Sequence, residues 1–261
     1  MNDLFDLSEK VAVVAGGGGL LGSLLSRTLA EFNAKVIVAD NDAMALERVN
    51  DSSAGEATSS MTALQMDISD EKSVRQALDQ IVRRFNKVDI LVNSAYPRTS
   101  EWGAPFETVT VPSWLENVQI HLGGYFITSR CFSEQMIAQG SGNIINVASI
   151  YGIVAPDFQI YEGTNMTNPS EYAAIKAGIL GLTRYLASYL ARHNIRVNCM
   201  SPGGIFNDQP EAFVERYRER TPLGRMAKPD DFAGGLVYLA SDASSYVTGH
   251  NLVIDGGWSI I

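Results

Sequence analysis

Three side chains carry the chemistry this sequence suggests most directly: Tyr172, Lys176 and, upstream, Ser149. In a helix, positions four apart share a face, one turn above the other. A lysine ammonium one turn from a phenol favours the phenolate and lowers its pKa from an ordinary value of about 10. The phenol then becomes a proton donor and acceptor near neutral pH. A serine hydroxyl beside it would hold a substrate oxygen. Tyrosine and lysine at this spacing are also common on solvated amphipathic helices, so the elements around the pair decide its meaning.

Lys10–Ala15 is a short apolar, β-branched run, suited to a strand buried on both faces. It enters Gly16-Gly17-Gly18-Gly19-Leu20-Leu21-Gly22 and then a helical pattern through Phe32. Strand, glycine turn and helix together form a dinucleotide fingerprint, in which backbone approaches a pyrophosphate at a helix N-terminus. A second strand, Lys35–Ala39, ends at Asp40, which is 24 residues beyond Gly16. Its carboxylate is placed to accept from ribose hydroxyls and would repel a 2′-phosphate. No Arg or Lys occurs in 16–22 or 39–43, so NAD is expected over NADP. Asn41 or Asp42, rather than Asp40, suits the cap of the helical segment that follows.

The alternation continues with a strand at Met61–Met66, ending in Asp67-Ile68, whose carboxylate would reach an adenine. A helix at Ser69–Phe85 and a strand at Val88–Val92 come next. Such alternation predicts a doubly wound parallel α/β sheet, a Rossmann fold in one domain over 1–261, with ligands at the carboxyl ends of its strands. Hydrophobic content of 46% supports a substantial core, and a net charge of −9 argues against nucleic acid or an acidic membrane surface as partner. Cys131 and Cys199 stand apart and read as buried thiols in a reducing compartment, with no zinc site. The acidic Met1–Asp6 stretch is unlike a signal peptide, and no apolar run spans a membrane, so a cytoplasmic protein is expected.

Further blocks occur in order: Asn93-Ser94-Ala95, Gly142–Ser149, Tyr172 with Lys176, Asn198–Gly203, Val247-Thr248-Gly249 and Ile254-Asp255-Gly256-Gly257. With the glycine turn and Asp67 they resemble the short-chain dehydrogenase/reductase family over nearly the whole chain. The resemblance implies that Tyr172 is the acid/base, Lys176 lowers its pKa and holds the nicotinamide ribose, and Ser149 positions the substrate oxygen. It further implies a dinucleotide held by Gly16, Gly19, Leu20, Leu21, Gly22, Asp40, Asp67, Ile68, Asn93 and Ala95. Pro202, Gly203 and Ile205 would line the carboxamide side, and a homotetramer or dimer is expected.

The chain departs from the pattern in four places. Leu20 stands where a glycine is usual, giving the glycine spacing of the larger, sugar-nucleotide-modifying branch. His121 occupies the position of a catalytic Asn that supports a relay water in relatives. A histidine also holds a water and titrates near neutral pH; packing within a helix is the other reading. Tyr96 replaces a glycine, and Asn207 replaces a threonine.

Between Ser149 and Tyr172 lie 22 residues, where relatives have roughly half as many. The insert at about 153–169 carries Asp157, Gln159, Tyr161, Glu162, Thr164, Asn165, Thr167 and Asn168 and no Lys or Arg. As a wall of acceptors it suits a polyhydroxylated substrate; as a surface loop it suits a subunit contact. A mobile substrate helix is expected within about 207–220, and Arg98, Arg216, Arg218 and Arg220 are the candidate anion contacts. The expected activity is NAD-dependent interconversion of a secondary alcohol and a ketone, on a sugar or sugar derivative. A reductase of acyl-carrier or small cyclic ketones and a non-catalytic dinucleotide sensor are the alternatives.

Overall fold

The burial of strand β1, Val11–Ala15, fixes the architecture: all five of its residues are buried, so both faces of the sheet must be covered. In the computed structural model, which describes residues 2–52 and 60–261, helices cover both faces. The Met1 end of the acidic Met1–Asp6 stretch lies outside the described residues. Strands β2 (Lys35–Asp40), β3 (Met61–Gln65), β4 (Ile90–Asn93), β5 (Gly142–Val147), β6 (Ile195–Pro202) and β7 (Asn251–Ile254) complete a parallel sheet. Its order is β3-β2-β1-β4-β5-β6-β7, so the direction of winding reverses between β1 and β4. That switch point opens a crevice at the carboxyl ends of the strands.

Helices α1 (Leu20–Glu31) and α7 (Ala233–Ala240) cover one face, where Leu25, Leu29, Leu236 and Leu239 pack on Ala12 and Val14. Helices α3 (Glu71–Phe85), α4 (Val111–Gln139) and α5 (Ser170–Leu190) cover the other. There Ile81, Phe132, Ile175 and Ile179 meet Val11, Val13 and Ala15. Burying one such side chain stabilises by about 1.5–3 kcal/mol. Helix α2 (Ala43–Ser52) opens at Asp42, whose Oδ1 accepts from Met44 N at 2.9 Å. Helix α3 begins at Asp70, which accepts from Lys72 N, and stops at Asn86 in the left-handed region (φ 63°). Its buried Val74, Ala77, Leu78 and Ile81 follow the helical repeat, and Asp70→Ala would cost about 1 kcal/mol.

A third apolar cluster lies beside the crevice. It joins Ile150, Ile160, Phe213, Tyr217, Met226 and Trp258. Here the insert meets helix α6 (Glu211–Arg220). No helix among the described residues is long and apolar enough to cross a membrane.

Candidate active site

The glycine turn is shaped by close packing at two of its positions. Gly16 has φ +77°, and a Cβ there would lie 2.3 Å from the Ala95 Cα. A Cβ at Gly22 would lie 2.0 Å from the Gly16 carbonyl oxygen. These glycines press β1, α1 and the end of β4 together. At Gly19 a Cβ would meet nothing nearer than 3.4 Å, so this glycine leaves open space instead. Gly19 is also the N-cap of α1 and provides no side-chain cap, which leaves the helix's first N–H groups facing the crevice. An anion fits there.

The crevice is a cleft of about 740 Å³. Gly16, Gly19, Leu20, Leu21, Gly22, Asp40, Asp67, Ile68, Ala95, Pro202, Gly203 and Ile205 line it, so these expected cofactor residues share one cavity. Asp40 turns one carboxylate oxygen to Gly18 N at 2.9 Å and the other to Asp42 N at 3.1 Å, while Asp67 accepts from Ser69 Oγ at 2.7 Å. Leu20, half exposed, sits at the rim. The residues present therefore fit a dinucleotide: bare helix N–H groups for a pyrophosphate, and a carboxylate at the end of β2 for a ribose.

Asn93 corrects the sequence reading, because it stands behind the cleft wall. It is 1% exposed; its amide donates to Asn146 Oδ1 at 2.9 Å and its carbonyl accepts from Thr128 Oγ1 at 2.7 Å. Both of its polar groups therefore tie β4 to β5 and α4. Asn146 continues the network by donating to Thr183 on α5.

At the other end of the cleft lie Ser149, Tyr172 and Lys176. Helix α5 starts directly after Pro169, which puts Tyr172 in its first turn and Lys176 one turn on. The Ser149 side chain lies close enough to the Tyr172 phenol to lower its pKa, and its Oγ accepts from Tyr151 N at 3.2 Å. The Lys176 Nζ donates to the Val147 carbonyl at 3.0 Å and lies 5.5 Å from the centre of the Tyr172 ring. It also lies 5.8 Å from the ring centres of Tyr96 and Tyr125.

The electrostatics differ from expectation. Burial pushes the Tyr172 phenol up, and only the neighbouring Ser149 side chain opposes it. Burial also pulls Lys176 down to about 7. The lysine was expected to lower the tyrosine's pKa. Both charged forms lose hydration on burial, and that desolvation is the largest cause of the shift at each group.

His121 does not line the cleft. Its ring is 0% exposed, centred 5.4 Å from Tyr96 and 5.4 Å from Tyr125, and neither ring nitrogen has a partner among the described residues. Burial first, and the Lys176 charge second, hold its pKa well below 6.5. It is a neutral imidazole behind Tyr96. Tyr96 itself enters the cleft, with its ring edge-to-face on Tyr172 at 5.8 Å.

The insert is not the polar wall its composition suggested. Of its residues only Tyr161 lines the cleft. Asp157 pairs with Arg220 at 3.4 Å and caps Gln159 N, Thr164 bonds the Tyr161 carbonyl at 2.7 Å, and Gln159, Glu162 and Asn165 face out. Arg216 donates to the Glu162 carbonyl, and Arg218 pairs with Glu215 at 3.2 Å. Two of the three α6 arginines therefore fasten the insert to the helix and are not cleft cations. What faces the reacting end is aromatic: Tyr151, Tyr161, Phe213 and Tyr217, with Met226. Sequence reasoning missed Tyr151, Phe213, Tyr217 and Met226. For Phe213 and Tyr217 the signal was apolar spacing on α6, where they are four apart; Tyr151 and Met226 lie outside that helix and had none.

Comparison with known proteins agrees with this geometry. The sequence model of a family described as enoyl-(acyl carrier protein) reductase matches residues 21–259. A post-translational flagellin modification protein A from Campylobacter coli is 36% identical over 255 residues, spanning 97% of this chain and 100% of that one. A cis-4-hydroxycyclohexanecarboxylate dehydrogenase from Sinomonas cyclohexanicum is 34% identical over 260 residues, spanning 97% and 98%. A solved short-chain dehydrogenase from Leptospira borgpetersenii with bound NAD+ superposes with a TM-score of 0.86 at 36% identity, covering 97% of this chain and 94% of that one. With the parallel sheet, the glycine turn and the Ser149–Tyr172–Lys176 cluster in one cleft, the chain belongs to the short-chain dehydrogenase/reductase family of oxidoreductases.

Proposed function

We propose that the protein is an NAD-dependent dehydrogenase/reductase that interconverts a secondary alcohol and a ketone on a hydroxylated ring, a sugar or sugar-like compound. The observation that carries this reading is the grouping of Ser149, Tyr172 and Lys176, with the lysine Nζ 5.5 Å from the Tyr172 ring centre, at one end of a cleft that Asp40 closes at the other. The N–H groups of the Gly19–Leu21 turn would hold the pyrophosphate, Asp40 the adenosine ribose, and Asp67 and Ile68 the adenine edge. Ala95 would flank the ribose, and Pro202, Gly203 and Ile205 would line the carboxamide. A bound nicotinamide supplies the hydride acceptor or donor.

The protein's own groups manage the proton. The Ser149 hydroxyl holds the substrate oxygen against the Tyr172 hydroxyl, which takes the alcohol proton in oxidation and returns it in reduction. Burial alone leaves Tyr172 a weak acid. A protonated Lys176 offsets this, since a positive charge near the ring favours the phenolate. The aromatic faces of Tyr151, Tyr161 and Phe213 suit a ring, and the two phenol hydroxyls suit a ring that carries hydroxyl groups.

The test is a screen of cyclic and open-chain secondary alcohols with NAD and with NADP, followed by absorbance of the reduced nicotinamide. Tyr172→Phe should remove turnover and leave dinucleotide binding nearly intact. A Phe variant as active as the unmodified protein would take the acid/base role away from Tyr172.

A further inference from the structure

Charge is distributed unevenly along the cleft. Its acidic lining residues, Asp40, Asp42 and Asp67, gather at the end nearest α1 and α2. Around Ser149 and Tyr172 the lining is aromatic, apolar or amide, and among the described lining residues Lys176 and Arg98 are the only cations. Lys176 is buried and bonded to the Val147 carbonyl. Arg98 is different. It follows β4 on the loop that also carries Tyr96, it is exposed, and it makes no ion pair among the described residues. Its guanidinium carbon lies 5.1 Å from the centre of the Tyr96 ring, whose edge faces Tyr172. One ring thus separates the arginine from the reactive phenol. A tyrosine face restrains a guanidinium and leaves its N–H fork free for a planar anion.

The other arginines near this end are engaged. Arg216 and Arg220 hold the insert, and Arg218 holds Glu215. In a protein of net charge −9, a single exposed, unpaired arginine at the mouth of a cleft whose other cation at that end is the buried, carbonyl-bonded Lys176 calls for an anion on the ligand.

We propose that Arg98 on its Tyr96 platform is a specificity site for an anionic group, a carboxylate, on the far side of the substrate from its reacting hydroxyl. The inference rests on the reading of the cleft as an alcohol/ketone site and narrows the substrate class to hydroxy and keto acids. Arg98 takes no part in the hydride or proton steps. It orients the substrate from its distal end, so it acts on substrate binding and not on the chemistry.

The experiment uses oxocyclohexanecarboxylates and longer keto acids, each beside its primary amide, which matches the acid in shape and lacks the charge. Binding to the complex with NADH is measured by calorimetry in a Tyr172→Phe background, where turnover does not intervene. At least one acid should bind about tenfold more tightly than its amide, a typical effect of a charge-assisted hydrogen bond. Arg98→Gln should level the pair, Arg98→Lys should keep part of the preference, and NADH affinity should hold in both. In the active protein the same preference should appear in KM with kcat little changed. Acid and amide bound equally across the series, or a preference that survives Arg98→Gln, would overturn the proposal. So would loss of NADH affinity in Arg98→Gln, which would give the arginine to the dinucleotide phosphates. An Arg98-dependent acid preference with no turnover in the unmodified protein would uphold the anion site and reject the dehydrogenase reading.

Discussion

Replacing Lys176 by methionine should stabilise the protein while ending turnover, and the gain should fade as pH rises. Lys176 is 4% exposed, and burial lowers its pKa from 10.5 to about 7. One pKa unit corresponds to about 1.36 kcal/mol. The buried ammonium therefore opposes folding by about 5 kcal/mol below about pH 7, where folded and unfolded chains both carry the proton, and by about 4 kcal/mol at pH 7 itself. Between about 7 and 10.5 the unfolded chain binds a proton that the folded chain lacks, so stability rises with pH. By about pH 9.5 only about 1.4 kcal/mol of that opposition remains. Methionine has a similar length and no charge to desolvate. It gives up the hydrogen bond to the Val147 carbonyl, about 1 kcal/mol, and the contact with the tyrosine faces, about 1 kcal/mol. The Val147 carbonyl still accepts from Tyr125 at 3.3 Å, so it is not left bare. The net expectation is a gain of about 2–3 kcal/mol near pH 7 and none near pH 9.5. In a chain of this size that is about 5–10 °C in Tm near neutrality. Thermal unfolding of both ligand-free proteins at the two pH values measures it. A difference that does not change with pH would refute the reasoning, because it would mean that Lys176 is not held below its ordinary pKa.

Three further outcomes are expected. Asp40→Ala should reduce or level a preference for NAD(H) over NADP(H), and titration showing NADP(H) already preferred by the unmodified protein would remove Asp40 from this role. His121→Asn should leave the pH–rate profile unchanged around neutral pH, since burial first and Lys176 second hold the imidazole's pKa well below its ordinary value. A difference should appear only on the acid side, where charging His121 slows the unmodified protein; profiles that superimpose throughout would make His121 a packing residue. Gly22→Ala should weaken both folding and dinucleotide binding, because its Cβ would sit 2.0 Å from the Gly16 carbonyl oxygen, whereas Gly19→Ala should fold normally and lose affinity. Equal melting temperatures for Gly22→Ala and the unmodified protein would contradict the packing argument.

The sequence determined the alternation of buried strands and amphipathic helices, because burial on both faces of β1 and the helical repeat of α3 are local patterns. It placed Tyr172 and Lys176 on one helical face for the same reason, and it located the Gly16–Gly22 turn and Asp40 by spacing along the chain. Tertiary structure decided what depends on partners distant in sequence. Asn93 reads as a cleft residue from its neighbours, yet Asn146 and Thr128, 53 and 35 residues away, draw it behind the wall. The polar insert reads as a substrate wall, but Arg216 and Arg220 reach across from α6 and turn its acceptors outward. The pKa values of Tyr172, Lys176 and His121 went the same way. A spacing of four residues sets how close two groups come, but only the packing of Tyr96, Tyr125 and the ends of β4 and β5 around them removes water, and desolvation then outweighs the pairing that the sequence suggested.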